Sequence, residues 1–169
     1  MRIKRILVPT DLSGASMPAE DLAADLARTL DAEVLLLFCA EPVDATSILT
    51  ASEVASFLQE EDKAARAELE RRALRIGKRA PRVQSLVVAG RAASAIIEAA
   101  RKLGADLIVI GTHGRTGFSR FMIGSVAERV VRAAQCPVLT VRSGRAPTRF
   151  HRAFSRRRSG RRIGSRRGR

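Results

Sequence analysis

The residues best suited to chemistry are Gly111-Thr112-His113-Gly114, followed after a nine-residue gap by Gly124-Ser125. The run starts where an apolar segment, Asp106-Leu107-Ile108-Val109-Ile110, ends, and it finishes where an amphipathic one, Val126 to Ala134, begins. Glycines at a strand exit let backbone N–H groups approach a ligand, because no Cβ intervenes. A glycine and a serine at a helix start present unpaired N–H donors and the positive end of the helix dipole. The chemistry this serves is anion binding, above all of nucleotide phosphates. The competing reading is an ordinary strand-to-helix connection with Ser125 as a helix cap. A loop of this length bounded by glycines favours function. No lysine follows Gly124, so the P-loop element is missing, and no GxGxxG follows the first apolar segment, which weighs against a dinucleotide site. Arg115 is the nearest cation, and it either offsets phosphate charge or stands solvated.

A second candidate is Pro9-Thr10-Asp11-Leu12-Ser13. A carboxylate there is a strong acceptor for ribose hydroxyls. Equally, Asp11 and Ser13 would serve as caps of the next helix. His113 and His151 are the only histidines, and no nucleophile or carboxylate pair is arranged beside them, so catalysis is not expected beyond slow ATP turnover. Cys39 and Cys136 form no CxxC pair and have no clustered ligands, so buried free thiols are expected and a metal site is not.

The elements that must position these residues alternate. Apolar runs predict strands at Ile3–Val8, Glu33–Cys39, Val83–Val88, Leu107–Ile110 and Pro137–Arg142. Helical patterns fill the gaps. Asp21 to Leu30 carries Leu22, Leu26 and Leu30 at i+4 spacing, and Pro18 lies early, where a helix tolerates it. Thr50 to Lys78 carries Val54, Leu58, Ala65 and Leu69 on one stripe and opens on a capping box, Thr50 with Glu53. Ala92 to Leu103 stops at Gly104, a good C′ residue, and Ser125 with Glu128 reads as a second capping box. Nearly continuous apolar strands imply a sheet covered on both faces. The expected fold is therefore α/β, an open, doubly wound, five-stranded parallel sheet of Rossmann-like type in a single domain. Ligands on such sheets bind beyond the carboxyl ends of the strands, near a reversal of strand order.

Residues 1–142 resemble the universal stress protein family. The resemblance rests on Ile6-Leu7-Val8-Pro9-Thr10-Asp11, on Ala32 to Leu37, on Gly104 to Gly117, on Gly124 to Val131 and on Cys136-Pro137-Val138. It implies the adenine nucleotide alpha hydrolase-like variant of the fold and the ATP-binding branch of the family, whose Gly-x2-Gly-x9-Gly-Ser/Thr pattern falls on Gly111, Gly114, Gly124 and Ser125. By similarity Asp11 would meet ribose, and Cys39 would meet adenine through its backbone. Gly114, Arg115, Gly124, Ser125 and Val126 would surround the phosphates, and Pro9, Thr10, Ile110, Gly111 and Thr116 complete the expected set. ATP, AMP or ADP would be the ligand, with or without magnesium. The resemblance also implies a homodimer through the last strand, Pro137 to Arg142.

Charge divides the chain in two. Residues 1–142 carry 20 of the 31 basic residues and all 17 acidic ones, whereas residues 143–169 carry 11 arginines and no acid. That cationic stretch has no hydrophobic periodicity, so a disordered tail is expected, lying outside the family resemblance. It would suit nucleic acid or another polyanion without sequence specificity. The N-terminal apolar run is too short for a signal peptide, and no stretch is long enough to span a membrane, so a cytoplasmic location without membrane insertion is expected. The function expected is a nucleotide-binding stress-response module acting through nucleotide-dependent partner interaction. The alternatives are a slow ATPase and a nucleic-acid-associated stress protein acting through the tail.

Overall fold

A computed structural model describes residues 2–41, 51–112 and 123–142. Five strands and four helices alternate: β1 (Arg5–Thr10), α1 (Met17–Leu30), β2 (Glu33–Ala40), α2 (Ala51–Gly77), β3 (Arg82–Ala89), α3 (Ala92–Lys102), β4 (Leu107–Gly111), α4 (Ser125–Ala133) and β5 (Val138–Val141). The strands form one parallel sheet in the order β3-β2-β1-β4-β5. The direction of winding reverses between β1 and β4. The expected doubly wound α/β sheet is what the chain adopts.

Side chains alternate between the two faces of the sheet. Ile6, Val8, Val34, Leu36, Leu107 and Val109 point to one core, with α1 and with Leu69 and Ile76 of α2. Leu7, Leu35, Leu37, Ile108 and Ile110 point to the other, with Ile96, Ala99 and Ala100 of α3 and Ala127 and Val130 of α4. Both faces are covered, so the central strands need no polar alternation. Burying each such aliphatic side chain contributes about 1.5–3 kcal/mol.

Two local expectations change. Helix α1 begins at Met17 rather than Asp21, and its buried face is Ala19, Glu20, Ala23, Ala24 and Ala27. Leu22 and Leu26 are only half-buried and Leu30 is exposed. A helix lying close over a sheet favours small side chains at the contact, so the alanine stripe wins over the leucine stripe. Gly124, not Ser125, is the N-cap of α4, and no side-chain cap bond forms there. Glu128 pairs with Arg132 at 3.1 Å instead of closing a capping box. The expected stop at Gly104 holds, with φ +59°. The Ala105 N–H donates to Ala100 O at 2.9 Å and the Gly104 N–H to Arg101 O at 3.3 Å, which is a Schellman closure. Thr50 of the first capping box and all of residues 143–169 lie outside the described residues.

Candidate functional site

The sheet opens at the reversal of strand order. β1 pairs with β2 over six positions up to Thr10↔Phe38, but with β4 only at Ile6↔Leu107 and Leu7↔Ile108. The carboxyl ends of β1 and β4 therefore part, and a cleft of about 980 Å³ lies there. Pro9, Thr10, Asp11, Cys39, Ile110, Gly111, Gly124, Ser125 and Val126 all line it. These are nine of the twelve residues expected to hold a nucleotide. The other three, Gly114, Arg115 and Thr116, lie outside the described residues.

Gly124 ties the start of α4 to the end of β4. Its N–H donates to Thr112 O at 2.8 Å, and its own carbonyl accepts from the Glu128 N–H at 2.9 Å. A Cβ on Gly124 would stand 3.1 Å from Thr112 O, tighter than an ordinary contact, so a side chain here would force the two backbone segments to give by a few tenths of an ångström. The approach points the first turn of α4 into the cleft, and among the described residues no side chain caps its N–H donors. Helix α3 also starts at the cleft, at Ala92, but the Ala92 N–H already donates to Glu41 Oε1 at 2.9 Å. Of these two helix N-termini, α4 is the one ready for an external anion.

On the opposite side of the crevice, Asp11 is half-buried. Its Oδ1 accepts from the Ser13 N–H at 3.0 Å, and the Ser13 hydroxyl donates to its carboxylate at 2.8 Å. This is a tight Asx turn rather than a helix cap, since α1 begins only at Met17. A carboxylate offers about four lone-pair sites, so acceptor capacity remains for a ligand. Thr10, by contrast, is buried, and its hydroxyl donates to Glu20 Oε1 at 2.8 Å and accepts from the Leu12 N–H at 3.1 Å. Its side chain faces a structural network while its backbone borders the cleft.

Both cysteines are half-buried rather than buried. The Cys39 thiol points at Ala92 O, 3.9 Å away. Burial, with Glu41 adding to it, pushes Cys39 up to about 11, so the group is a neutral thiol at physiological pH and no nucleophile. Sequence reasoning missed one wall altogether: Glu61, Asp62, Ala64, Ala65 and Glu68 of α2 line the cleft. Long charged helices read as solvated faces, and nothing local in the sequence marks which turn crosses a strand end. Among the described residues no cluster of three or more His, Cys, Asp or Glu could hold a metal, and no helix is long and apolar enough to cross a membrane.

Comparison with known proteins agrees with this architecture. The profile described as "Universal stress protein family" matches residues 2–142. Universal stress protein MJ0531 of Methanocaldococcus jannaschii is 36% identical over 146 residues, covering 82% of each chain. The solved structure of universal stress protein UspA from Lactobacillus plantarum superposes with a TM-score of 0.72 at 26% identity, over 84% of this chain and 99% of that one. A universal stress protein solved in complex with cAMP superposes with a TM-score of 0.67 at 26% identity, over 85% of this chain and all of that one (100%). The chain belongs to the universal stress protein family.

Proposed function

We propose that the cleft between β1 and β4 binds an adenine nucleotide, ATP or its mono- or diphosphate, and that the chain works as a nucleotide-binding stress-response module. The observation that carries this reading is the pairing of an uncapped α4 N-terminus with the Asp11 carboxylate across the crevice at the strand-order reversal. The first receives phosphate, the second ribose, and the intervening space is large enough for a nucleotide. The relative solved with cAMP supports the same ligand class. Magnesium would enter as the counterion held by the phosphates, since the described residues form no metal cluster. Nucleotide occupancy would alter a partner surface.

We further infer a homodimer through Pro137 to Arg142. β5 is an edge strand, and three of the six exposed large hydrophobics among the described residues, Ile123, Val131 and Leu139, fall between residues 123 and 139. An exposed apolar edge is protected by pairing.

The test is mass spectrometry of small molecules released by denaturing the purified, undialysed protein. A stoichiometric adenine nucleotide is the expected result. Release of none, together with no heat on titration with ATP or AMP, would overturn the reading.

A further inference from the structure

The interior of α1 holds a carboxylate that the cleft does not use directly. Glu20 is fully buried (0% exposed), and its Oε1 accepts from Thr10 Oγ1 at 2.8 Å, Ser16 Oγ at 3.1 Å and Arg72 Nη1 at 2.7 Å. Its Oε2 accepts from Arg75 Nη2 at 2.6 Å. Arg72 comes from α2 and is itself buried. Its five N–H groups meet five acceptors: Nε donates to Glu68 at 2.8 Å, and Nη1 to Glu20 and to Ser16 Oγ at 3.1 Å. Nη2 donates to the backbone carbonyls of Leu12 at 2.6 Å and Ser13 at 3.1 Å. Only a guanidinium has the five donors in a planar fork that this arrangement consumes.

The two carbonyls belong to the residues that follow Asp11. Leu12 sits at φ +61°, a conformation a leucine keeps only where its surroundings impose it. Ser13 is the residue that fixes both oxygens of the Asp11 carboxylate, through its N–H and its hydroxyl. Arg72 thus holds Ser13, and Ser13 holds Asp11. We propose that Arg72, anchored by buried Glu20, is a positioning residue that sets the Asp11 carboxylate for the ribose hydroxyls of the bound nucleotide. The proposal rests on the nucleotide reading of the cleft. It makes the lower half of α2 part of the site's specificity, although Arg72 is not among the residues lining the cleft.

The experiment measures affinities of the full chain for ATP and for 2′,3′-dideoxyATP, which lacks both ribose hydroxyls. Hydrogen bonds to a charged group give the wild type a preference for ATP of about tenfold or more. Arg72→Lys keeps the charge beside Glu20 but lacks the fork. It should bring the preference to about threefold or less while affinity for the dideoxy nucleotide stays within about threefold. Because removing one partner strands a buried charge, the paired variant Glu20→Gln/Arg72→Met is the second test, and it should lose the preference likewise. Arg79→Met is the control: Arg79, in the turn that follows α2, pairs with Asp21 at 3.2 Å and Asp25 at 2.7 Å of α1 without touching the loop, and its loss should leave the preference intact. Full preference in a folded Arg72→Lys or paired variant, or equal loss in Arg79→Met, would overturn the positioning role alone. A wild type that binds neither nucleotide would overturn the reading of the cleft and the positioning role with it.

Discussion

At the scale of single residues, the site depends on where side chains are absent as much as on where they are present. Gly124 is held against Thr112 by a hydrogen bond of 2.8 Å, and an added Cβ would stand 3.1 Å from the same carbonyl oxygen. Gly124→Val crowds the contact between the start of α4 and the end of β4, and it also places a branched side chain at the N-cap, a position where valine is far less favourable than glycine. We expect nucleotide affinity to fall more than about tenfold, and a stability loss of about 1–2 kcal/mol to lower the melting temperature by about 2–8 °C. Calorimetric titration and thermal melting check both. Unchanged affinity would mean that the α4 N-terminus is not where phosphate sits.

Asp106 joins elements rather than touching the cleft, and its prediction belongs at that scale. Its carboxylate accepts from the N–H groups of Lys4 at 2.7 Å and Arg5 at 2.9 Å, which pins the start of β4 beside the start of β1. Those two backbone donors hold its carboxyl below the usual carboxylate range. A folded value below the unfolded one adds stability above the ordinary carboxyl range near pH 4, and that stability is lost as pH falls through the folded value. Asp106→Asn should thus cost about 1 kcal/mol at pH 7, a modest figure because solvent screens the group, and the cost should shrink toward zero in acid, once pH falls through the lowered folded value. Denaturant midpoints at neutral pH and in acid measure it, and a cost independent of pH would contradict the assignment.

The elements also show what sequence makes legible. Gly104 was readable as a helix stop because glycine adopts φ +59° without the steric cost a Cβ brings. Strand positions were readable because both faces of the sheet are buried, which leaves continuous apolar runs. The buried face of α1 was not, because leucine signals burial more strongly than alanine, while close helix–sheet approach selects alanine. Nor was the Glu20–Arg72 pair, since Glu20, Arg72 and Arg75 carry the same charges as a solvated face and only the packing of α1 on α2 encloses them. Breaking one partner of such a pair costs about 3–5 kcal/mol, so it constrains the fold as firmly as an aliphatic contact.

For the whole molecule, the strand order β3-β2-β1-β4-β5 explains why Asp11, from the first fifteen residues, and Gly124, more than a hundred residues later, face one crevice. The two walls come from opposite sides of the reversal, so no local motif contains the site. The same order leaves β5 at an edge, with Leu139 exposed on it. Leu139→Arg should convert a dimer to a monomer in light scattering after gel filtration, and an unchanged mass would remove β5 from the interface. The central claim is tested most directly by hydrogen exchange of the full chain with and without saturating ATP. Added protection should concentrate at residues 11–13, 110–112 and 124–126, on both walls of the crevice. Protection confined to other segments, or none at all, would contradict nucleotide binding at the junction of β1 and β4.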